Sequence, residues 1–539
     1  KNIRPSQHVY AWLRATGRQL GQATLDLACL PYEASFSIDA VVRTTIRVLI
    51  TRRRLLEWNP SGEPGRSLDV AQKTTPKPGD ADNLLQSLAT MWIAPATAMV
   101  TALYLAAARP GSLAVAGAIL CLWFVAPVLT WWISRPLVRR PTRLRPAQTR
   151  FLHVLTRRTW AFFESFVTAG DHWLPPDNYQ EQPVAALAHR TSPTNMGLAL
   201  LANLAAYDFG FLSAGTLIER TSSALASMNK LERYQGHFYN WYDTLTLAPL
   251  RPLYVSSVDS GNLAGHLLTL RPGLRGLIDE RIIGPRVFAG LDDTLAVIED
   301  LAHDLSPREM SRLRQDVETA QDSGPTTIKA ANHWLGRLSA AADTLASALA
   351  VKPEDAVAAA AGNDLNWWVG ALVRQIRDLR AELEFLAPWS LLPAIPDRLL
   401  RDMPGLGAVP TLRELSTLDE KFAASIMGGH NADATKAELA SAAELHPLVT
   451  LGAFRARERI AVIEELARQS GELALFDYSF LYDKSVHLLA VGYNVDQRRR
   501  DSGHYDLLAS EARLCSFVAI AQGAVPQENW FALGRQLTT

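Results

Sequence analysis

Two long runs without a charged side chain constrain this chain more than anything else in it. Leu84 to Ala108 contains no Asp, Glu, Lys or Arg, and after Arg109 and Pro110 the run from Gly111 to Ser134 contains none either. A helix that crosses the hydrocarbon core of a bilayer needs about 20 apolar residues, and both runs are longer. The Arg109-Pro110-Gly111 break between them is a turn signal. The pattern predicts a transmembrane helical hairpin over 84–134. Pro95 and Pro127 lie inside it, where membrane helices tolerate proline. Trp92, Tyr104, Trp123, Trp131 and Trp132 offer interfacial anchors. A buried hairpin in a soluble core is the alternative, and the length of the runs argues against it.

The flanks orient the hairpin. Arg43, Arg47, Arg52, Arg53 and Arg54 precede it. Arg135, Arg139, Arg140, Arg143, Arg145, Arg150, Arg157 and Arg158 follow it with no Asp or Glu among them, while the turn carries only Arg109. By the positive-inside rule both flanks, and with them the large C-terminal part, are cytoplasmic. Membrane lipids are then an expected partner, because Arg52 to Arg54 would meet anionic headgroups.

Overall charge is balanced, with 54 basic and 54 acidic side chains. A nucleic-acid binder would carry a basic excess, so no nucleic-acid partner is expected. Cys29, Cys121 and Cys515 are too far apart for a disulfide framework or a zinc ribbon. No Walker loop, GxGxxG, HExxH or nucleophile elbow is present. Asp80-Ala81-Asp82 spells DxD, but it sits in a Pro-, Gly- and Lys-containing linker, 61–83, with no strand before it, so it reads as chance. The chain opens on Lys1 without a signal peptide and reads as a fragment of something larger.

The organisation follows from these features: juxtamembrane helices and linker in 1–83, two transmembrane helices in 84–134, and one helical domain in 135–539. Within 1–58 the pattern predicts a helix from Trp12 to Leu30 and another from Pro31 to Trp58. Beyond Phe151 the period is helical. Met196–Tyr207 and Ala214–Leu231 are separated by Asp208-Phe209-Gly210, and Leu291, Leu295, Ile298, Leu301 and Leu305 form one stripe. Ser306-Pro307-Arg308-Glu309 reads as a cap, first-turn proline and capping box. The helices in about 290–386 read as an insertion, either packed on its own domain or presenting a docking surface. One β-hairpin is expected, with arms Phe476–Leu481 and Val486–Tyr493.

Three polar segments carry candidate chemistry. In 234–266, Tyr239, Trp241 and Tyr242 stand among Asn240, Asp243, Asp259 and Asn262. Aromatic faces beside Asp and Asn suit sugars, which present C–H faces and rings of hydroxyls. Asp259 or Ser260 also suits a helix cap. In 501–517, Tyr505 and Asp506 read as the start of an apolar helix, with Asp506 as its N-cap. In 189–195, Arg190 suits either a sugar hydroxyl or a carboxylate partner.

Four segments carry a family resemblance: LPYEASFSIDAVVRT…ITRRRLLEW (30–58), HRTSPTNMGLALLANLAAYDFGF (189–211), LERYQGHFYNWYDT…YVSSVDSGNLAGH (231–266) and VGYNVDQRRRDSGHYDLLASEARLCSFVAIAQGAVPQENWFALGR (491–535). They resemble bacterial cyclic β-1,2-glucan synthases, multi-pass proteins of the inner membrane. The resemblance implies a mainly α fold, in which an (α/α)-toroid-type glucoamylase-like domain follows the membrane region. It implies a linear β-1,2-glucan as the bound chain, ring closure by transglycosylation, and Tyr239, Trp241, Tyr242, Asp243, Asp259, Asn262, Tyr505 and Asp506 as its binding wall. It also implies partner domains of the same polypeptide outside this sequence: a glycosyltransferase using UDP-glucose and a divalent metal, and a phosphorylase-like domain. A strand-borne DxD and a QxxRW are absent here. On this resemblance the ring-closing carboxylates lie beyond the LGR at 533–535, so no catalytic residue, metal or cofactor is assigned within 1–539.

Overall fold

The computed structural model describes residues 5–51, 84–134, 144–302, 307–349, 364–427 and 435–535. The Arg52–Arg54 cluster, the 61–83 linker with Asp80 and Asp82, Arg135 to Arg143, and Ser306 lie outside the described residues. The chain divides into two compact units, Lys1–Arg143 and Leu144–Thr539.

In the first unit, α1 (Pro5–Ile46) is followed by a π-helical turn at Arg47–Thr51, then by α2 (Leu84–Thr90), α3 (Ile93–Ala108) and α4 (Leu113–Ile133). The expected helix boundary at Pro31 does not exist, because α1 runs straight through it. Pro31 has no N–H for the Leu27 carbonyl, one turn earlier. The Trp123 Nε1–H of α4 fills that role at 2.9 Å and ties α4 to α1. Pro95 has the opposite outcome. It sits in the first turn of α3, and the backbone breaks before it at Met91–Trp92.

The run 84–108 is therefore two helices and not one span. At about 1.5 Å per residue, the 16 residues of α3 reach about 24 Å, short of the roughly 30 Å of a hydrocarbon core. Among the described residues one helical stretch, Pro110–Ile133, is long and apolar enough to cross a membrane. Small residues let these helices approach, with Ala28, Met91, Ala94 and Ala126 forming a common core. The Ser87 hydroxyl donates to the Pro127 carbonyl (2.8 Å), which ties α2 to α4.

The second unit is mainly helical: α5 (Pro146–Phe166), α6 (Pro193–Asp208), α7 (Ala214–Lys230), α8 (Ser257–Gly276), α9 (Arg286–Leu301), α10 (Pro307–Ser323), α11 (Ile328–Ala348), α12 (Leu365–Leu386), the short α13 (Asp397–Asp402) and α14 (Leu412–Leu415), α15 (Leu418–Met427), α16 (Lys436–Leu473), α17 (Ala512–Ala521) and α18 (Glu528–Ala532). Side-chain caps start many of them: Ser192, Ser213, Ser256, Thr327, Asp364 and Thr435 each accept a first-turn N–H. Helices α9 to α12 share one hydrophobic core with the rest of the unit, through Leu291, Leu313, Leu338 and Trp368 among others.

The strands are two or three residues long and all antiparallel. They are β1 (Tyr179–Gln180), β2 (Ala186–Leu187), β3 (Arg190–Thr191), β4 (Arg233–Tyr234), β5 (His237–Phe238), β6 (Tyr242–Asp243), β7 (Tyr254–Ser256), β8 (Tyr482–Asp483), β9 (Leu488–Leu489), β10 (Gly492–Asn494) and β11 (Arg499–Arg500). Gln235 and Gly236, both at positive φ, turn β4 into β5, as a two-residue hairpin loop requires. The expected hairpin at 476–493 is present only as the pair β8–β9. Gly492–Asn494 leaves it to pair with β7 on one side and β11 on the other. A sequence-distant partner redirects that strand, and no local pattern announces it.

Candidate functional site

Helices α6 and α8 begin side by side and run parallel. Thr194 lies at Asp259 and Asn262, Gly197 at His266, and Leu204 at Gly273. A Cβ on Gly197 would come within 2.4 Å of the His266 ring, so a glycine is what permits this spacing. Each start is capped by the serine before it: the Ser192 Oγ accepts from Asn195 N, and the Ser256 Oγ from Asp259 N, both at 3.2 Å. The cap of α8 is thus Ser256, not Asp259 or Ser260. Asp259 is left facing the gap between two helix N-termini, where the backbone dipoles favour a negative charge.

A polar chain crosses this gap. Asn262 Nδ2 donates to Thr194 Oγ1 (3.2 Å), and Thr194 Oγ1 donates to Asp259 Oδ1 (2.6 Å). Asn240, with its amide oriented to satisfy both neighbours, donates to Asp259 Oδ2 (2.9 Å) and accepts from Trp241 Nε1 (3.1 Å). The Arg190 guanidinium lies over the Trp241 ring, 4.9 Å from its centre, and pairs with Asp177 at 2.9 Å. Tyr254, which enters α8 from β7, donates to Asp501 Oδ2 at 2.7 Å. Burial pushes the Tyr505 hydroxyl above its ordinary range, and the negative charges of Asp259 and Glu511 add to the shift. Trp241, Asn240, Asp259, Asn262, Tyr254 and Tyr505 are all half-buried and together form a ledge of sugar-compatible chemistry.

The remaining expected wall residues are placed differently. Tyr242 is fully buried, its hydroxyl donating to the Glu232 carbonyl (2.6 Å) and accepting from Tyr239 N (2.7 Å). Tyr239 is also in the core, with its hydroxyl toward Glu232. Both rings serve packing and present no contact surface. Asp243 closes its own turn. Burial alone would raise its carboxyl, but donors from Thr246 and Leu245 outweigh that and hold it below the usual range. Asp506 caps nothing, because α17 begins at Ala512, six residues later. The Asp506 side chain is exposed, and its backbone carbonyl accepts from Gly534 N at 2.6 Å. Arg190 takes the carboxylate partner rather than standing free.

Thr194, Tyr254 and Asp501 belong to the site without having been singled out. Tyr254 and Asp501 are 247 residues apart, so only the β7–β10 pairing brings them together. Beneath the ledge His237 is buried and held between Ser260 Oγ and the Asp477 carbonyl, both at 2.8 Å, and burial lowers its pKa to about 4. Among the described residues no group of three or more His, Cys, Asp or Glu is arranged to hold a metal ion.

No protein-family model matches the chain. One solved structure, a putative glucoamylase from Bacteroides fragilis, is 16% identical, covering 31% of this chain and 43% of that one. Its TM-score is 0.21, too low to carry an argument about the fold. The sequence comparison reaches much further. Over 98% of its length the chain is 30% identical to a cyclic beta-(1,2)-glucan synthase, NdvB, of Rhizobium meliloti (strain 1021), and it spans 16% of the length of that protein. The resemblance carried by the motifs therefore holds along nearly the whole chain, which is a relative of one segment of a cyclic β-1,2-glucan synthase.

Proposed function

We propose that the Leu144–Thr539 unit binds a linear β-1,2-glucan along the ledge formed by Trp241, Asn240, Asp259, Asn262, Tyr254 and Tyr505, and takes part in closing it into a ring by transglycosylation. Its architecture is of the glucoamylase-like (α/α) kind. Polymerisation from UDP-glucose belongs to a metal-dependent glycosyltransferase domain of the longer polypeptide, beside a phosphorylase-like domain. Helix α4 crosses the bacterial inner membrane with the broken run α2–α3 together as the second arm of a hairpin, and the large unit faces the cytoplasm.

The convergence of two parallel helix N-termini on one half-buried carboxylate, beside a half-exposed tryptophan, supports this reading. Both Asp259 oxygens already accept hydrogen bonds, from Thr194 and Asn240. Asp259 therefore orients a ligand better than it attacks one, which favours a binding role for this segment over a nucleophilic one. Calorimetric titration of the full chain in detergent with linear β-1,2-glucan tests the reading. Trp241→Ala should weaken binding about tenfold, or about 1.4 kcal/mol, while the wild-type melting temperature is kept. A wild-type chain that does not bind the glucan would end the proposal.

A further inference from the structure

The geometry points to His189 as a second sugar contact on this surface, its imidazole fixed by a buried Asp171 so that Nε2 accepts a hydrogen bond from a glucan hydroxyl. This rests on the glucan-binding reading above and extends it to a residue outside the ledge.

His189 Nδ1 lies 2.7 Å from Asp171 Oδ1, with the imidazole 41% exposed and the carboxylate 8%. Asp171 Oδ1 also accepts from Thr244 Oγ1 at 2.5 Å, and Thr244 is fully buried. An ionised carboxylate only accepts, so His189 Nδ1 carries the proton. In the neutral ring Nε2 keeps its lone pair. No partner for Nε2 exists among the described residues.

The carboxylate is placed at a conformational cost. The two residues after Asp171, His172 and Trp173, have φ of 53° and 60°, the left-handed region that non-glycine side chains disfavour. The conformation is held from several sides: Trp173 N donates to Thr168 O (2.8 Å), His172 Nδ1 meets Thr244 O (2.8 Å), and Thr244 N donates to the His189 carbonyl (3.0 Å). The same turn seats Trp173 against the core under Arg220 and holds Asp171 where it sets which His189 ring nitrogen is bare.

The neighbour in sequence supplies the rest of the subsite. Arg190 stacks on Trp241, and across the β3–β6 pair it faces Asp243, whose carboxylate is occupied by its own turn. The strand edge that carries His189 thus adjoins the ledge through Arg190, so one extended glucan chain can reach both. Asp171 touches no ligand in this arrangement and is a positioning residue.

Three variants of the full chain in detergent test the assignment, each titrated with linear β-1,2-glucan and each melted. His189→Leu should lose about tenfold in affinity. His189→Gln, whose amide also reaches the ε position, should stay within about threefold of wild type. In histidine labelled with nitrogen-15, the unprotonated Nε2 resonance that disappears in H189Q should shift on adding glucan. Asp171→Asn should move the proton to Nε2 in the same spectrum and weaken binding several-fold. Leu and Gln variants that bind like wild type, or an Nε2 resonance indifferent to glucan, would overturn the assignment while leaving the ledge intact. A wild-type chain that binds no glucan removes both readings, and needs no variant to show it.

Discussion

Helices α4 and α12 are almost equal in length, 21 and 22 residues, and opposite in how they meet their surroundings. Helix α12 interleaves Arg374, Arg377, Asp378 and Arg380 with a stripe that buries Trp367, Trp368, Leu372, Ile376, Leu379 and Leu383. Helix α4 has no charged residue and buries only Leu120, Ala126 and Pro127, leaving Val115, Phe124, Val125 and Trp132 exposed. Apolar content alone does not say whether protein will cover a helix. A stripe is answered by other helices, whereas a surface apolar all round asks for a different solvent.

Three measurements would break or sharpen that contrast. The largest effect is expected where the cover is protein. Trp368 is 1% exposed and stacked under Arg157, so Trp368→Ala should cost about 3–5 kcal/mol in the second unit, read by denaturant unfolding. A loss under 1 kcal/mol would mean that α12 is not part of a tight core.

The same dry interior acts on His237. Its folded pKa, about 4, is below the usual value of 6.5. The unfolded chain thus takes up a proton first as pH falls. Stability should be full above about pH 6.5 and fall by about 3 kcal/mol towards pH 4, at 1.36 kcal/mol per unit. Melting curves of wild type and His237→Gln across that window should converge at low pH. Parallel curves would show that His237 does not carry the slope.

The third measurement asks what covers α4. If it lies in a bilayer, as proposed, Val125→Arg near its centre should disfavour insertion by about 2.5 kcal/mol, towards the low end because arginine side chains snorkel. In water an arginine at this exposed position should change little. An insertion assay that finds no penalty would return α4 to the class of soluble helices awaiting a partner.

The helices of the second unit were legible because period and caps are local properties. Met196–Tyr207 and Ala214–Leu231 became α6 and α7 within a few residues, and Leu291, Leu295 and Ile298 form a buried stripe. Prolines were legible only in part. Pro95 breaks its helix, whereas Pro31 does not, because the carbonyl it abandons finds Trp123 far along the chain. The candidate site shows the same limit. Trp241, Asp259 and Asn262 were readable as polar-aromatic chemistry, but neighbouring strand positions face opposite ways. That alternation put Tyr242 in the core one residue after a half-exposed Trp241. Asp506 misled because a good cap residue needs a helix after it, and this helix starts later.

The joining of β7 to β10 has a consequence for how the molecule is made. Tyr254 emerges from the ribosome 247 residues before the Asp501 it bonds. At roughly 5–20 residues per second, that interval lasts on the order of 10–50 s. Throughout it a nascent chain displays the tryptophan and the helix starts without their closing edge. The ledge is therefore expected to be complete only late in translation, once β10 has been made and has paired with β7.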